Sequence, residues 1–399
     1  MFQSLLDTHI DTVIEDAKKS DHSKLHMYDV VYKYIISFAK SHNLLMSSEP
    51  KESLCSFKIY GGYIFQYANM LSNELVQFTS YIRLNTTVRN KEFTIIVDGV
   101  NMVNMINIDN NFMNIMKSSI SGDKNILSPE VELIDIYHRL YSPNKCSEIE
   151  STEQYESVLW KSFNTTRASI ITRPFIKGGA EHVDVVLEWL KGQRGCAVVG
   201  DAAATLLSNN TIQYSNTVQF IAANPKQAIE DLKKHMQDFV GMNVNVKKYD
   251  MKIPDDYRIC KFVLSAKING STYYIANIFN SAFYELIPFT VINGINVAMF
   301  PVILRFMFID IWFLRMLRYF NTIDQKIYKS NMNTLYTNID IIHSKWSTAM
   351  KEKKYNFPMY MGTYINESIS KKNNTVIFPY YPAKYKLDTG EYRFIGKSN

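Results

Sequence analysis

A short apolar run that ends in glycine and passes directly into a helical pattern occurs twice in this chain, and this unit constrains the fold more than any other feature. In the first copy Ser56-Phe57-Lys58-Ile59-Tyr60 meets Gly61-Gly62, and helical periodicity follows over residues 63–77. In the second, Gly195-Cys196-Ala197-Val198-Val199 meets Gly200, and a small-residue helix follows over 201–207. Short, mostly apolar runs bounded by glycine have the length and composition of strands. Glycine at the junction lets the backbone reverse without a steric penalty. The expected class is therefore α/β (α+β). Matching the two turns, Gly61-Gly62 against Gly200, gives two related α/β modules.

The rest of the chain is placed around these units. Residues 24–47 read as a helix, and 79–84 and 91–100 as strands; 109–123 is polar and loop-like. Ser128-Pro129-Glu130 opens a helix that runs to Tyr141, with serine as cap, proline in the first turn and an acid beside it. A second helix covers 151–163, and the main boundary is expected near 165–180. Helix 181–191, strand 217–222, helix 225–239 capped by Asn224, and strands 244–248, 259–268 and 272–279 follow, with Asn269-Gly270 as a hairpin turn. From Ile292 the pattern is mostly helical to about 353, then irregular and rich in Tyr and Pro. The expected domains are 1–165, 166–290 and 291–399.

Composition removes several classes. A chain of 399 residues exceeds one ordinary core, and 46% hydrophobic with 21% charged residues is a globular balance. Cys55, Cys146, Cys196 and Cys260 are far apart and form no zinc spacing, so a reducing compartment is the default. His22 and His26 sit four apart but lack a third ligand. No GxxxxGK[ST] or GxGxxG glycine motif, no HExxH metalloprotease motif and no GxSxG serine-hydrolase motif occurs. Residues 1–19 read as an amphipathic helix with no signal peptide. Residues 286–304 carry no charge, but Pro288, Asn293, Gly294, Asn296 and Pro301 interrupt them, so a buried core helix is expected and no membrane. The net charge of +6 permits a nucleic-acid partner without demanding one, and an AT-rich codon bias accounts for much of the lysine content.

Three segments carry a resemblance. They are Cys196-Ala197-Val198-Val199-Gly200-Asp201-Ala202-Ala203-Ala204-Thr205-Leu206-Leu207; the stretch from Tyr214 to Leu232 that begins Tyr-Ser-Asn-Thr-Val-Gln-Phe-Ile; and Tyr274-Ile275-Ala276-Asn277-Ile278-Phe279-Asn280 with Tyr284-Glu285-Leu286-Ile287-Pro288-Phe289 after it. The helix from Leu127-Ser128-Pro129-Glu130 to Tyr141 and the strand at 91–100 add to it. Over residues 55–320 the chain resembles the poly(A) polymerase catalytic subunit family of poxviruses and other large nucleocytoplasmic DNA viruses. The resemblance implies a nucleotidyltransferase-like module, preceded by a related structural module and followed by a helical C-terminal region. It also implies phosphoryl transfer, in which an RNA 3′-hydroxyl attacks the α-phosphate of ATP and pyrophosphate leaves, with two divalent ions clamping the reacting oxygens. It implies a place in the host cytoplasm, at the viral factory, or in the virion.

The chain departs from that pattern where the chemistry is done. Magnesium wants hard, anionic oxygen ligands. The family's Asp-x-Asp pair falls on Asn216 and Val218, and its third Asp on Asn277. The nucleotide-binding turn reads Gly200-Asp201, which sets an acid where a triphosphate is expected. In the first module Asp98 is the one acid near the right layer. No metal ligand set and no cofactor are therefore expected; Mg or Mn with ATP would be needed only by an active enzyme. Three readings stay open. The chain is a non-catalytic paralogue, a structural or regulatory partner of an active paralogue or of a second copy of itself; or an active adenylyltransferase recruiting Asp201, Glu230 or Asp250; or an RNA-binding or virion structural protein. Lys247, Lys248, Lys261 and Lys267, with Arg305, Arg315 and Arg318, are the candidates for an RNA groove. Asp310 and Asp324 are expected to pair with Arg305, Arg315 or Lys326.

Overall fold

The structure, a computed structural model, describes residues 23–48, 57–78, 83–89, 92–117, 125–141, 149–167, 181–193, 195–207, 217–252, 258–268, 271–280, 287–351, 385–387 and 390–395. Cys55, Cys146, His22, Asn216, the Asn269-Gly270 turn, Asp255-Asp256, most of the 165–180 boundary and residues 1–19 lie outside them. The chain divides into two compact units, Met1–Glu132 and Leu133–Asn399. The division falls at residue 132, and the region from 291 onward shares the second unit with residues 166–290.

The first unit runs α1 (Ser23–Ser41), β1 (Leu45–Met46), β2 (Lys58–Gly61), α2 (Ile64–Leu75), β3 (Leu84–Arg89), β4 (Glu92–Val97), β5 (Val100–Asn107) and α3 (Asn110–Met116). Its five-stranded sheet has the order β1-β2-β5-β4-β3. Ile64, Ala68, Leu71 and Leu75 place one face of α2 in the core with Ile35, Phe38, Ile59, Phe78, Ile95 and Val103. The strand expected over 91–100 is a hairpin: Asp98 and Gly99 have φ of 49° and 85°, and β4 pairs antiparallel with β5. Asp98 is thereby a turn residue, accepting from the Arg83 backbone N–H at 2.7 Å and from the Tyr28 hydroxyl at 3.3 Å. The polar segment read as loop contains α3.

The division at residue 132 falls within α4 (Pro129–Tyr141). The second unit continues through α5 (Ile149–Arg167), α6 (Glu181–Leu190), β6 (Cys196–Val199), α7 (Gly200–Leu207), β7 (Val218–Ala222), α8 (Pro225–Val240), β8 (Val244–Lys252), β9 (Arg258–Ile268), β10 (Ser271–Asn280), β11 (Ile287–Ile292), β12 (Ile295–Ala298), α9 (Phe300–Tyr319), α10 (Gln325–Lys351), β13 (Tyr385–Leu387) and β14 (Gly390–Ile395). Its nine strands have the order β13-β14-β11-β12-β6-β7-β10-β9-β8. Asn224 caps α8 as expected, its side chain accepting from the Gln227 N–H. Asp324 caps α10, accepting from the backbone N–H groups of Lys326 and Ile327 rather than pairing with Lys326. Those N–H groups lower the Asp324 pKa.

The uncharged stretch 286–304 is not one core helix. Its first half is the hairpin β11–β12, turned by Asn293 and Gly294 at φ of 51° and 80°; only its end opens α9. Both turn residues need the left-handed region, which asparagine and glycine occupy most cheaply. No helix among the described residues is long and apolar enough to cross a membrane. Every residue of α9 from Phe300 to Leu314 is buried. Phe306 meets Phe279 of the sheet at 5.0 Å between ring centres, while Phe308 meets Tyr137 and Phe163 of the helical layer at 5.8 and 5.2 Å.

The two units do repeat, but not where the glycines suggest. In the first unit β2, α2, β3, β4 and β5 form a strand, a helix and a meander whose last strand pairs parallel with β2. In the second, β7, α8, β8, β9 and β10 do the same, β10 pairing parallel with β7. The strand orders β1-β2-β5-β4-β3 and β6-β7-β10-β9-β8 match position for position, with β1 antiparallel to β2 as β6 is to β7. Gly61-Gly62 therefore corresponds to the end of β7, and Gly200 to the end of β1. The duplication is offset by one strand from the one read by matching glycines.

Burial also sets a pH response. The Cys196 thiol is pushed from an ordinary 9.0 up to about 12 by burial, with Asp231 adding to it. Tyr137 is raised well above 10.0 by burial first and then by Glu156, to which its hydroxyl donates at 2.6 Å. Both groups hold their protons more tightly folded than unfolded. Their contribution is complete below the unfolded pKa and is lost as pH rises through the folded one. The urea midpoint should fall progressively between about pH 9 and 12, and Cys196→Ala should make that fall shallower. An unchanged slope would show that the thiol is not the buried group described.

Candidate functional site

The candidate site is built around the turn after β6. Val199 pairs with Gln219 across the antiparallel β6–β7 ladder, so the chain enters α7 directly above the Gln219 side chain. Gly200 has a φ of 63°, and a Cβ there would lie 2.0 Å from Gln219 Oε1. Only glycine meets both demands. The close approach that such a turn permits is made here to a side-chain amide of the protein itself.

Gln219 leads to a buried charged pair. Its Nε2 donates to Asp310 Oδ2 at 2.5 Å, and Lys261 Nζ donates to Asp310 Oδ1 at 2.7 Å. The side chains of Lys261 and Asp310 are each 5% exposed. The ammonium also sits 4.3 Å from the ring centre of Phe313 and 5.3 Å from that of Phe279. Strands β7, β9 and α9 thus meet in one amide–carboxylate–ammonium network. Sequence reasoning missed Gln219, and it gave Asp310 an arginine or Lys326 as partner. An acid in the otherwise apolar Phe306–Phe313 stretch was the available signal, since such a group has to be paired inside.

Asp201 stands in the first turn of α7 and is buried. Its Oδ1 accepts from Asn338 Nδ2 of α10 at 2.7 Å. The acid expected against a triphosphate instead ties two helices together, at the helix end that favours negative charge.

Strand register decides which of the expected ligand positions meet. Val218 pairs with Ala276, and Asn277 with Gln219. Paired residues point to the same face of a sheet and neighbours in sequence to opposite faces. Val218 and Ala276 are therefore on the face where Phe220 packs on Trp189 of α6, and both are fully buried. Asn277 is on the other face, beneath α9. Val218 and Asn277 are not brought together. On the face of Val218 the third position falls to Ala276; on the face of Asn277 the pair falls to Thr217 and Gln219. Neither set contains a carboxylate.

The absence extends to the whole centre of the sheet. Strands β11, β12, β6, β7, β10 and β9 contain no Asp or Glu. Among the described residues no group of three or more His, Cys, Asp or Glu is placed to hold a metal ion. The alternative acids do not converge either: Glu230 is paired with Lys233, and Asp250 with Lys248 and the Cys260 thiol. These residues do not fit a two-metal site.

The basic residues divide into two groups. Lys247, Lys248 and Lys267 are exposed, whereas Lys261 and Arg305 are buried and line no open groove. For Lys261 the reason is its pairing with Asp310. Lys247 and Lys248 keep their protons more tightly than usual, first through hydrogen bonds to Tyr249 and Asp250 respectively.

The crystal structure of the Megavirus polyadenylate synthase superposes with a TM-score of 0.60 at 13% identity, covering 88% of this chain and 74% of that one. The fold is that of a viral polyadenylate synthase. That likeness agrees with the mixed α/β architecture and its helical C-terminal region. In sequence the chain is similar to the uncharacterised protein K421R of African swine fever virus, at 22% identity over 387 residues for the Tick/Malawi isolate, covering 88% of this chain and 89% of the relative. The Pretoriuskop isolate gives 21% over 388 residues. No protein-family model matches the chain.

Proposed function

We propose that the chain is a non-catalytic relative of the viral poly(A) polymerases, keeping the scaffold as a structural or regulatory partner of an active copy. The observation that carries this reading is the carboxylate-free sheet centre. Two divalent ions beside a triphosphate need anionic ligands, and the buried acid bonded to Gln219, Asp310, is already neutralised by Lys261. An ammonium fixed 2.7 Å from that carboxylate also repels a second cation. Fold alone does not supply the reaction; the site does.

The test is tail extension by the purified full chain, supplied with ATP, Mg²⁺ or Mn²⁺ and oligo(A) or oligo(U) primers. No primer lengthening is expected with either metal. AMP addition that survives repurification and disappears on Asp310→Asn or Asp201→Asn would overturn the reading and restore the active-enzyme alternative.

A further inference from the structure

We infer that Lys248, Asp250 and Cys260, on the outer strand pair of the nine-stranded sheet, form a peroxide-responsive site in which the oxidised Cys260 sulfur is captured by the Lys248 amine as a reversible S–N cross-link. Strand β8 ends the strand order, and its ladder with β9 sets Asp250 directly opposite Cys260. Lys248, two residues before Asp250, is on the same face. Cys260 Sγ donates to Asp250 Oδ1 at 2.8 Å, and Lys248 Nζ stands 3.0 Å from that same oxygen. Lys248 also makes a hydrogen bond to the thiol itself. The backbone N–H of Cys260 donates to Asn280 Oδ1 of β10 at 2.7 Å, which fixes the cysteine in place. Lys248 and Asp250 are exposed and Cys260 is half-buried, so a small oxidant reaches all three.

This setting gives the thiol a chemistry that a cysteine on its own lacks. Asp250 takes its proton, and the neighbouring ammonium stabilises the thiolate. The thiolate attacks one oxygen of hydrogen peroxide. An S–O bond forms, the O–O bond breaks, and the released hydroxide leaves as water with the proton that Asp250 had taken. Sulfur is oxidised by two electrons and peroxide is reduced by two. The resulting sulfenic acid faces Lys248, which passes a proton to Asp250. The lysine nitrogen then attacks sulfur; an S–N bond forms, S–O breaks, and hydroxide leaves with that proton as a second water. The last proton on the attacking nitrogen's charged form goes to solvent. Thiol, ammonium and peroxide thus give the cross-link, two waters and one proton. A sulfenic acid condenses even with a backbone nitrogen, and a lysine amine on a flexible stem is the better nucleophile. Among the described residues no second thiol competes, because Cys196 is buried on β6, three strands away from β9. A thiol reductant attacks the same sulfur and restores both side chains. The inference does not rest on whether the chain is catalytic.

Peptide mapping of the full chain after brief treatment with hydrogen peroxide, with remaining thiols blocked by N-ethylmaleimide, tests it. Trypsin does not cut after a modified Lys248. The expected product therefore joins residues 248–252 to residues 259–261 and is about 2 Da lighter than the two peptides together. Dithiothreitol should release both. Lys248→Arg keeps a cation beside Asp250 but has no nucleophilic amine. It should give no cross-link, and dimedone should trap the Cys260 sulfenic acid instead. Asp250→Asn should slow the cross-link by roughly tenfold or more. These side chains are exposed, and circular dichroism confirms that each variant is folded. Cys260 that stays open to N-ethylmaleimide after peroxide, Cys260 that oxidises without joining Lys248, a cross-link that forms equally in Lys248→Arg or Asp250→Asn, or one that dithiothreitol leaves intact would each overturn the assignment. Tail extension is read separately, so either result there leaves this test intact.

Discussion

Lys261→Met is expected to lower the unfolding free energy of the second unit by about 3–5 kcal/mol, because it leaves the Asp310 carboxylate buried with no cation. Asp310 would keep its bond from Gln219 Nε2, but one neutral amide does not offset the cost of an isolated buried charge. The methionine fills similar volume, so little of the loss would come from a cavity. Lys261→Met/Asp310→Asn removes both charges and retains an acceptor for Gln219. It should recover most of the loss, since a buried pair replaced as a pair is often nearly neutral. All four tryptophans, Trp160, Trp189, Trp312 and Trp346, lie in the second unit, so intrinsic fluorescence in urea follows that unit selectively. A single variant that loses less than about 1 kcal/mol, the range of exposed pairs, would show that the pair is solvated and that the ammonium does not neutralise the site.

The same network shows what the sequence disclosed and what it withheld. Local signals were strong where one segment settles its own structure: the Ser128-Pro129-Glu130 helix start, the Asn224 cap and the Cys196–Val199 strand are all found where the residues place them. The hairpin at Asn293-Gly294 was equally legible, but the missing charges around it drew the reading toward a helix. Pairings between distant segments were not legible. Lys261, Asp310 and Gln219 are separated by up to 91 residues, and no local period links them. Parity was the other limit. A strand shows its alternation only when one face is polar, and Val218–Ala222 is buried on both faces. The residues therefore could not say that Val218 belongs with Ala276 rather than Asn277. That β7 and β10 carry no carboxylate holds under either pairing, because both faces lack one.

Gly200→Ala should cost about 2–5 kcal/mol, and the reason bears on what the turn is for. A left-handed backbone at 63° is worth about 1–2 kcal/mol against any residue with a Cβ. The added methyl would also stand 2.0 Å from Gln219 Oε1, so the amide has to swing away. It cannot do so freely, because its other end holds Asp310, and releasing that bond costs about 1–3 kcal/mol more. The two contributions separate in a double-mutant cycle. In a Gln219→Ala background Gly200→Ala should cost the backbone part alone, giving a coupling of at least about 1 kcal/mol. Additivity within about 0.5 kcal/mol would mean that the turn and Gln219 do not compete for the same space. In an enzyme of this fold the glycine turn brings backbone N–H groups to a triphosphate. Here its required glycine is explained in full by contact with a side chain already tied to a buried ion pair. The turn's geometry is therefore accounted for by the packing of the scaffold around Gln219 and Asp310.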